Sequence, residues 1–206
     1  MHTEKYNRLV NRLDKLRTVY LPSEFSPTGS YTDDDLEKVC AYKVLSHAEM
    51  EYYFEQIALE IVQKSFHLWR SSRRVSRPLL SLVAYHDGSF PALPDAHGGN
   101  NADKDLNWRV GEAVTKYNKQ VRDKNHGIKE KNILSIFLPI GVETSDIDAD
   151  MLRDLDNFGS ERGTIAHSTR ASTLTTPDDA LNSVNNIMTF INPFDEFLAT
   201  YRDAVV

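Results

Sequence analysis

Hydrophobic residues recur every three or four positions along most of the chain, a spacing that is typical of amphipathic α-helices. The first such stretch runs from about residue 3 to 21 and stops at Pro22. The longest begins at the capping sequence Thr32-Asp33-Asp34-Asp35 and continues to about Ser72 without a Gly or Pro. Its broad apolar face predicts the central helix of a bundle.

Helical spacing is also clear in the last third of the chain. One stretch begins at Thr144-Ser145-Asp146 and leads directly into Gly159-Ser160-Glu161-Arg162. The closing helix begins at Thr176-Pro177, with proline at the first helical position. Pro193 lies inside this closing pattern, and we expect it to kink the helix or split it in two.

The middle of the chain, about residues 77–144, is less regular. Its parts are a short apolar run that fits a helix or a buried strand (79–85), a Gly/Pro/Asp/Asn-rich surface excursion (86–101), a helical pattern (107–124) and a second short apolar run (132–138). We therefore predict one all-α domain over residues 1–206, a helical bundle with an irregular, loop-rich insertion at about 77–144.

Composition narrows the class of protein. The 206 residues are 40% hydrophobic and 26% charged, which fits a globular domain, and the net charge of −6 argues against broad electrostatic capture of nucleic acid. The single cysteine, Cys40, cannot form an internal disulfide, which favours a reducing compartment. We find no apolar run of membrane-spanning length and no hydrophobic signal core at the start, so we expect a cytoplasmic protein without a membrane partner.

Arg162 and His167 are the first candidates for chemistry. A fixed cation beside a group that titrates near neutrality suits phosphodiester cleavage without a metal. A chain of this composition has about one such pair by chance, so a surface arginine and a packing histidine remain the alternative. On a straight helix the two positions lie about 140° apart, so they share a face only if the helix is broken, which Gly159, Gly163 and Thr164 favour, unless residues from two chains converge in one site.

The long early helix carries a second candidate. Lys43, His47, Glu51 and Glu55 recur every four residues and therefore share one helix face. This polar stripe either borders a catalytic cleft or is a solvated face with ordinary ion pairs.

An arginine cluster follows that helix, with four arginines in eight residues between positions 70 and 77. It either steers a polyanion or complements the dipole at a helix C-terminus. The His and Asp residues at 86–99 are interpreted as turn chemistry rather than a metal site, and the sequence lacks Glu-x-x-His, His-Glu-x-x-His and phosphate-loop patterns. We expect no metal and no cofactor.

The order of these segments is similar to that of the HEPN superfamily, in particular its RiboL-PSP-HEPN branch. The resemblance rests on Ser46 to Phe54 in the early helix, on the late motif Arg162-Gly163-Thr164-Ile165-Ala166-His167-Ser168, and on the closing helix. Family members carry Arg-x4-6-His, often as Arg-Asn-x-Ile-Ala-His-Gly, so Gly163 replaces a usual polar residue and Ser168 a frequent glycine. The two similar blocks are residues 34–70 and 148–197.

The resemblance implies a homodimer that unites two motifs in one cleft, and metal-independent endoribonuclease activity on RNA. His167 would act as general base or acid, Arg162 would stabilise charge on the phosphate, and Glu51 or Glu49 would orient His167. The other residues expected to bind substrate or support the site are His47, Thr164, Ser168, Arg73 and Arg74.

In bacteria the family implies a toxin or an antiviral defence effector, with a cognate antitoxin or defence partner. The alternative is a non-catalytic HEPN-like module that binds RNA, a nucleotide or a partner protein. The acidic net charge and Gly163 favour the module, whereas the presence of both Arg162 and His167 favours the enzyme.

Overall fold

The computed structural model describes residues 1–86, 105–167 and 175–203, and the side chains of Thr164, Ala166, His167 and Asp203 lie outside that description. Seven α-helices lie in the described residues: α1 Glu4–Tyr20, α2 Asp33–Ser72, α3 Arg77–Tyr85, α4 Leu106–Lys124, α5 Glu130–Phe137, α6 Ala149–His167 and α7 Pro177–Asp203. Short 3-10 turns at Leu138–Ile140 and Thr144–Asp146 connect α5 to α6. The prediction of an all-α bundle is confirmed.

Helix α2 is the axis of the bundle. It begins where the sequence predicts, because the Thr32 side chain accepts a hydrogen bond from the Asp35 backbone while the Asp35 side chain bonds back to Thr32. It ends at Ser72, before Arg73 takes a left-handed conformation with φ of 58°. At 40 residues α2 is about 60 Å long, and it contacts each of the other six α-helices.

The core lies around the middle of α2. The ring of Phe54 meets that of Phe137 edge to face at 6.1 Å, and Phe137 meets Phe194 in the same way at 5.2 Å. This chain of aromatic rings joins α2, α5 and α7. Helix α5 is short, and its apolar residues lie in the hydrophobic core between the longer helices.

The middle of the chain differs from its prediction. Its described residues are mostly helical, and Ile128, Ile133 and Ile140 are fully buried, so this region is part of the core rather than a loop-rich insertion. The Tyr117 hydroxyl in α4 donates to the Ile136 carbonyl at 2.8 Å. The helical pattern predicted at 107–124 is confirmed by α4, and the two apolar runs form α3 and α5, which at nine and eight residues are too short for periodicity alone to separate a helix from a buried strand. The predicted excursion falls largely at 87–104, outside the described residues.

Helices α6 and α7 are both continuous. Helix α6 begins after Asp148, whose side chain accepts from the Asp150 and Met151 amides, and it passes through Gly159 and Gly163 to His167. The expected helix break is therefore wrong. Helix α7 continues through Pro193 rather than splitting there. Within the described ranges, every helix is too short or too polar to cross a lipid bilayer.

Candidate functional site

The polar stripe of α2 is buried against α6. Lys43 and His47 are only 2% and 3% exposed, so the interpretation as a solvated helix face is wrong. The stripe faces the α6 segment that carries Phe158 to Arg162, and it also faces the connection between α4 and α5. The structure therefore joins two groups of candidates, the stripe and the arginine of the motif.

His47 lies at the centre of this region. Its ring stacks on Phe158 with 6.4 Å between ring centroids, and its Nδ1 is 3.7 Å from a carboxylate oxygen of Glu51. A β-carbon placed at Gly127 or Gly159 would lie 3.8 or 3.7 Å from His47 Nε2. The imidazole thus lies between α2, α6 and the α4–α5 connection, at ordinary van der Waals distance from the positions of both glycines.

The environment of His47 keeps its imidazole neutral. Burial lowers the pKa of His47 to about 4, and the positive charge of Arg162 acts in the same direction. At neutral pH the ring therefore carries no charge. A neutral ring does not repel the Arg162 guanidinium, so a cation can remain beside it.

Lys43 controls the charge next to Arg162. Its ammonium group forms an ion pair with Glu161 and lies 5.9 Å from the centre of the Phe158 ring. Arg162 is exposed and has no ion-pair partner among the described residues. Since Lys43 holds the adjacent carboxylate, the positive charge of Arg162 is available to a ligand.

Glu51 and Glu55 hold the α4–α5 connection. The Gly127 amide donates to Glu51 at 2.6 Å, and the Asn125 side chain donates to Glu55 at 3.1 Å. Burial raises the pKa of Glu55, although the Asn125 hydrogen bond opposes the rise. In the described residues Glu51 thus contacts His47 and the connection, and its predicted role toward His167 stays a prediction.

Three predicted site residues lie elsewhere in the chain. Glu49 binds Arg12 at 2.8 Å in the α1–α2 interface, because residues two apart on a helix face different directions. Arg73 and Arg74 follow the C-terminus of α2, about 39 Å along the helix from His47. Arg73 there binds Asn107 and lies over the Trp69 ring. Their assignment to the site is therefore wrong within one chain.

The remaining motif positions are defined only in part. Positions 164 and 167 belong to α6, whereas Ser168 and the side chains of Thr164 and His167 lie outside the described residues. Because α6 is unbroken, positions 162 and 167 lie about 140° apart around its axis. One copy of the helix does not present both positions on one face.

Sequence reasoning missed the residues of the α4–α5 connection. Asn125 and Gly127 anchor it to α2, and Lys129 packs so closely on α6 that a β-carbon at Gly159 would lie 3.0 Å from its Cγ. A usable signal was present, since residues 116–131 contain six Lys or Arg and only two acids. The α4–α5 connection and the motif that begins at Arg162 are distant in sequence, so only the fold shows that they lie close together.

In a comparison with known protein families, residues 7–200 of the chain match the family described as RiboL-PSP-HEPN. The matched range includes the middle of the chain as well as the two blocks that carry the sequence resemblance. The curated proteins and the solved structures gave no match.

Proposed function

Because the chain belongs to the RiboL-PSP-HEPN family of the HEPN superfamily, we propose that it is a metal-independent endoribonuclease whose site uses Arg162 and His167. The observation that carries the proposal is the environment of Arg162. This arginine is exposed, lies next to a neutral imidazole, and is separated from the charge of Glu161 by the Lys43 ion pair. A free guanidinium in such a position suits a phosphate group.

The chemistry is cleavage by the ribose 2′-hydroxyl. His167 takes the proton of this hydroxyl while its oxygen attacks the adjacent phosphorus. The bond from phosphorus to the 5′ oxygen then breaks, that oxygen takes a proton from water, and the products are a 2′,3′-cyclic phosphate and a 5′-hydroxyl. Arg162 stabilises the negative charge on the phosphate oxygens during the displacement.

The proposed site combines residues from two copies of the chain. The angle of about 140° between positions 162 and 167 on an unbroken helix separates them within one chain. A two-fold arrangement of α6 helices allows Arg162 of one chain to meet His167 of the other. We therefore expect a homodimer, and sedimentation that shows only a 23.5 kDa species at micromolar concentration would contradict it.

A cleavage assay in EDTA tests the function. Purified protein is incubated with a labelled RNA and with a DNA of the same sequence, both in excess EDTA. We expect RNA cleavage with cyclic phosphate ends and intact DNA, because DNA lacks the attacking hydroxyl. Loss of cleavage on addition of EDTA, or equal cleavage of DNA, would exclude this mechanism.

One observation favours a second candidate, a non-catalytic module that binds RNA, a nucleotide or a partner protein. A β-carbon at Gly163 would meet nothing within 4 Å, so the position has room for the polar residue that family motifs often carry, yet the chain has glycine. Expression in bacteria separates the candidates. A toxin or defence nuclease should arrest growth while His167→Ala does not, whereas two equally harmless proteins would favour the module.

A further inference from the structure

The positive charge of this acidic chain is concentrated in one segment. Residues 116–131, here called the basic segment, have a net charge of +4, whereas the whole chain has −6. Its six cationic side chains are those of Lys116, Lys119, Arg122, Lys124, Lys129 and Lys131. Five of them are exposed, and Lys129 is partly buried.

These cations are not neutralised by the protein. Within residues 1–86, 105–167 and 175–203, none of the six side chains forms an ion pair or hydrogen bond with another side chain, although Asp123 and Glu130 are close in sequence. Elsewhere in the chain, Arg77 pairs with Glu143 and Arg153 pairs with Asp150. A row of unpaired cations creates a positive potential that attracts a polyanion.

The basic segment leads to the motif arginine. It runs along the end of α4 and through the connection that Glu51 and Glu55 hold against α2. At its far end the Lys129 side chain packs on Gly159, one helical turn before Arg162 in α6. The basic segment thus ends beside the turn of α6 that carries Arg162, at the proposed reaction site.

We propose that the basic segment binds the phosphate backbone of RNA and places one phosphate beside Arg162. This inference rests on the proposed function, because the cleavage site at the end of the surface is what favours RNA over an acidic protein. Contacts from lysine and arginine to phosphates carry little sequence information. The segment would therefore supply affinity and position for RNAs of many sequences.

Two double variants test the proposal, Lys129→Gln with Lys131→Gln and Lys119→Gln with Arg122→Gln. The matched control is Lys15→Gln with Lys38→Gln, which removes the same charge from exposed positions of α1 and α2. Binding to a labelled 2′-O-methyl RNA of about 20 nucleotides, which lacks the attacking hydroxyl, is measured by fluorescence anisotropy at salt concentrations between about 50 and 300 mM. Melting temperatures confirm that each variant is folded.

We expect each lost phosphate contact to reduce the slope of log affinity against log salt by about 0.7 for a single strand. At ~0.1 M salt, the loss of one contact then weakens binding about fivefold. Each double variant should thus bind about 25-fold more weakly, and the control should match the wild type. Test variants that bind with the control's affinity and slope would overturn the proposal. A poly-glutamate chain that binds as tightly as the RNA and shows the same loss would assign the surface to an acidic protein instead.

The two proposals fail in different ways. If the wild type binds RNA through these residues but never cleaves it, the nuclease function is wrong and the binding surface stands. If the wild type cleaves RNA while the test variants bind like the control, only the binding surface is wrong.

Discussion

The buried imidazole of His47 should make the protein sensitive to mild acid. Burial lowers the pKa of His47 from an ordinary value of 6.5 to about 4 in the folded protein. In the unfolded chain the ring is solvated and takes up a proton near pH 6.5. Unfolding therefore binds a proton between these two values, so the free energy of unfolding is highest above pH 6.5 and falls as the pH drops toward 4.

The size of the effect follows from the two pKa values. At pH 5 nearly every unfolded chain carries the proton while only about one folded chain in ten does, which corresponds to about 2 kcal/mol. Urea unfolding at about pH 7.5, 6 and 5 measures this loss in the free energy of unfolding. His47→Gln removes the titrating group, so this variant should lose about 2 kcal/mol less than the wild type over that range.

His67→Gln is the matched control for that experiment. His67 lies in the same helix, α2, but its side chain is exposed. This variant should keep the wild-type dependence on pH. Equal pH dependence for the wild type and His47→Gln would refute the buried, neutral state of His47 that the site requires.

Three further predictions concern the surroundings of the site and the core, each measured by urea unfolding. Gly163→Ala should stabilise the protein by about 0.5–1 kcal/mol through helix propensity. Gly159→Ala should stabilise it less, because the new β-carbon meets Lys129, and equal gains for the two variants would contradict the packing of Lys129 on Gly159. Glu161→Gln should cost about 1–2 kcal/mol because it removes the charge that pairs with buried Lys43, although Glu161 is itself half-exposed, whereas Lys43→Met should cost less; the reverse order would contradict the ion pair. Gly141→Ala should destabilise by more than about 1 kcal/mol, since φ is 85° and its β-carbon would lie 2.7 Å from a tyrosine hydroxyl; an unchanged midpoint would contradict this geometry.

The long helices could be predicted from the sequence because their signals are local. Thr32 and Asp35 form the predicted cap of α2, and the helix ends at the predicted Ser72. The family, too, followed from local order, since the motif around Arg162 and the segment around His47 are short sequence features. Local signals do not depend on the rest of the fold.

The site was harder to predict, because its composition depends on which face of a helix each side chain lies on and on which element packs against that face. Glu49 and Glu51 are two positions apart, yet one binds Arg12 and the other binds the Gly127 amide. A list of polar residues in a helix cannot separate them without knowing which face meets which neighbour. Arg73 is a similar case, because closeness to α2 in sequence did not mean closeness to His47 in space.

The unbroken course of α6 also differs from the prediction. Gly163 lowers helix propensity by about 1 kcal/mol relative to alanine, and on propensity alone a break was reasonable. Buried residues earlier in the helix, such as Met151, Leu155 and Phe158, fix α6 in the bundle and outweigh that preference. Because the unbroken helix separates positions 162 and 167, a site that uses both residues needs two copies of the chain.

The most direct test of the nuclease assignment is cleavage by Arg162→Lys and His167→Ala, measured together with their melting temperatures. Arg162→Lys keeps the charge but loses the planar donor pair, so cleavage should fall on the order of 10²-fold with little change in melting temperature. His167→Ala should reduce cleavage by at least as much, since general acid or base catalysis contributes about 10²- to 10⁴-fold. An Arg162→Lys protein with full activity, together with a His167→Ala protein that is less stable but proportionately active, would contradict the account.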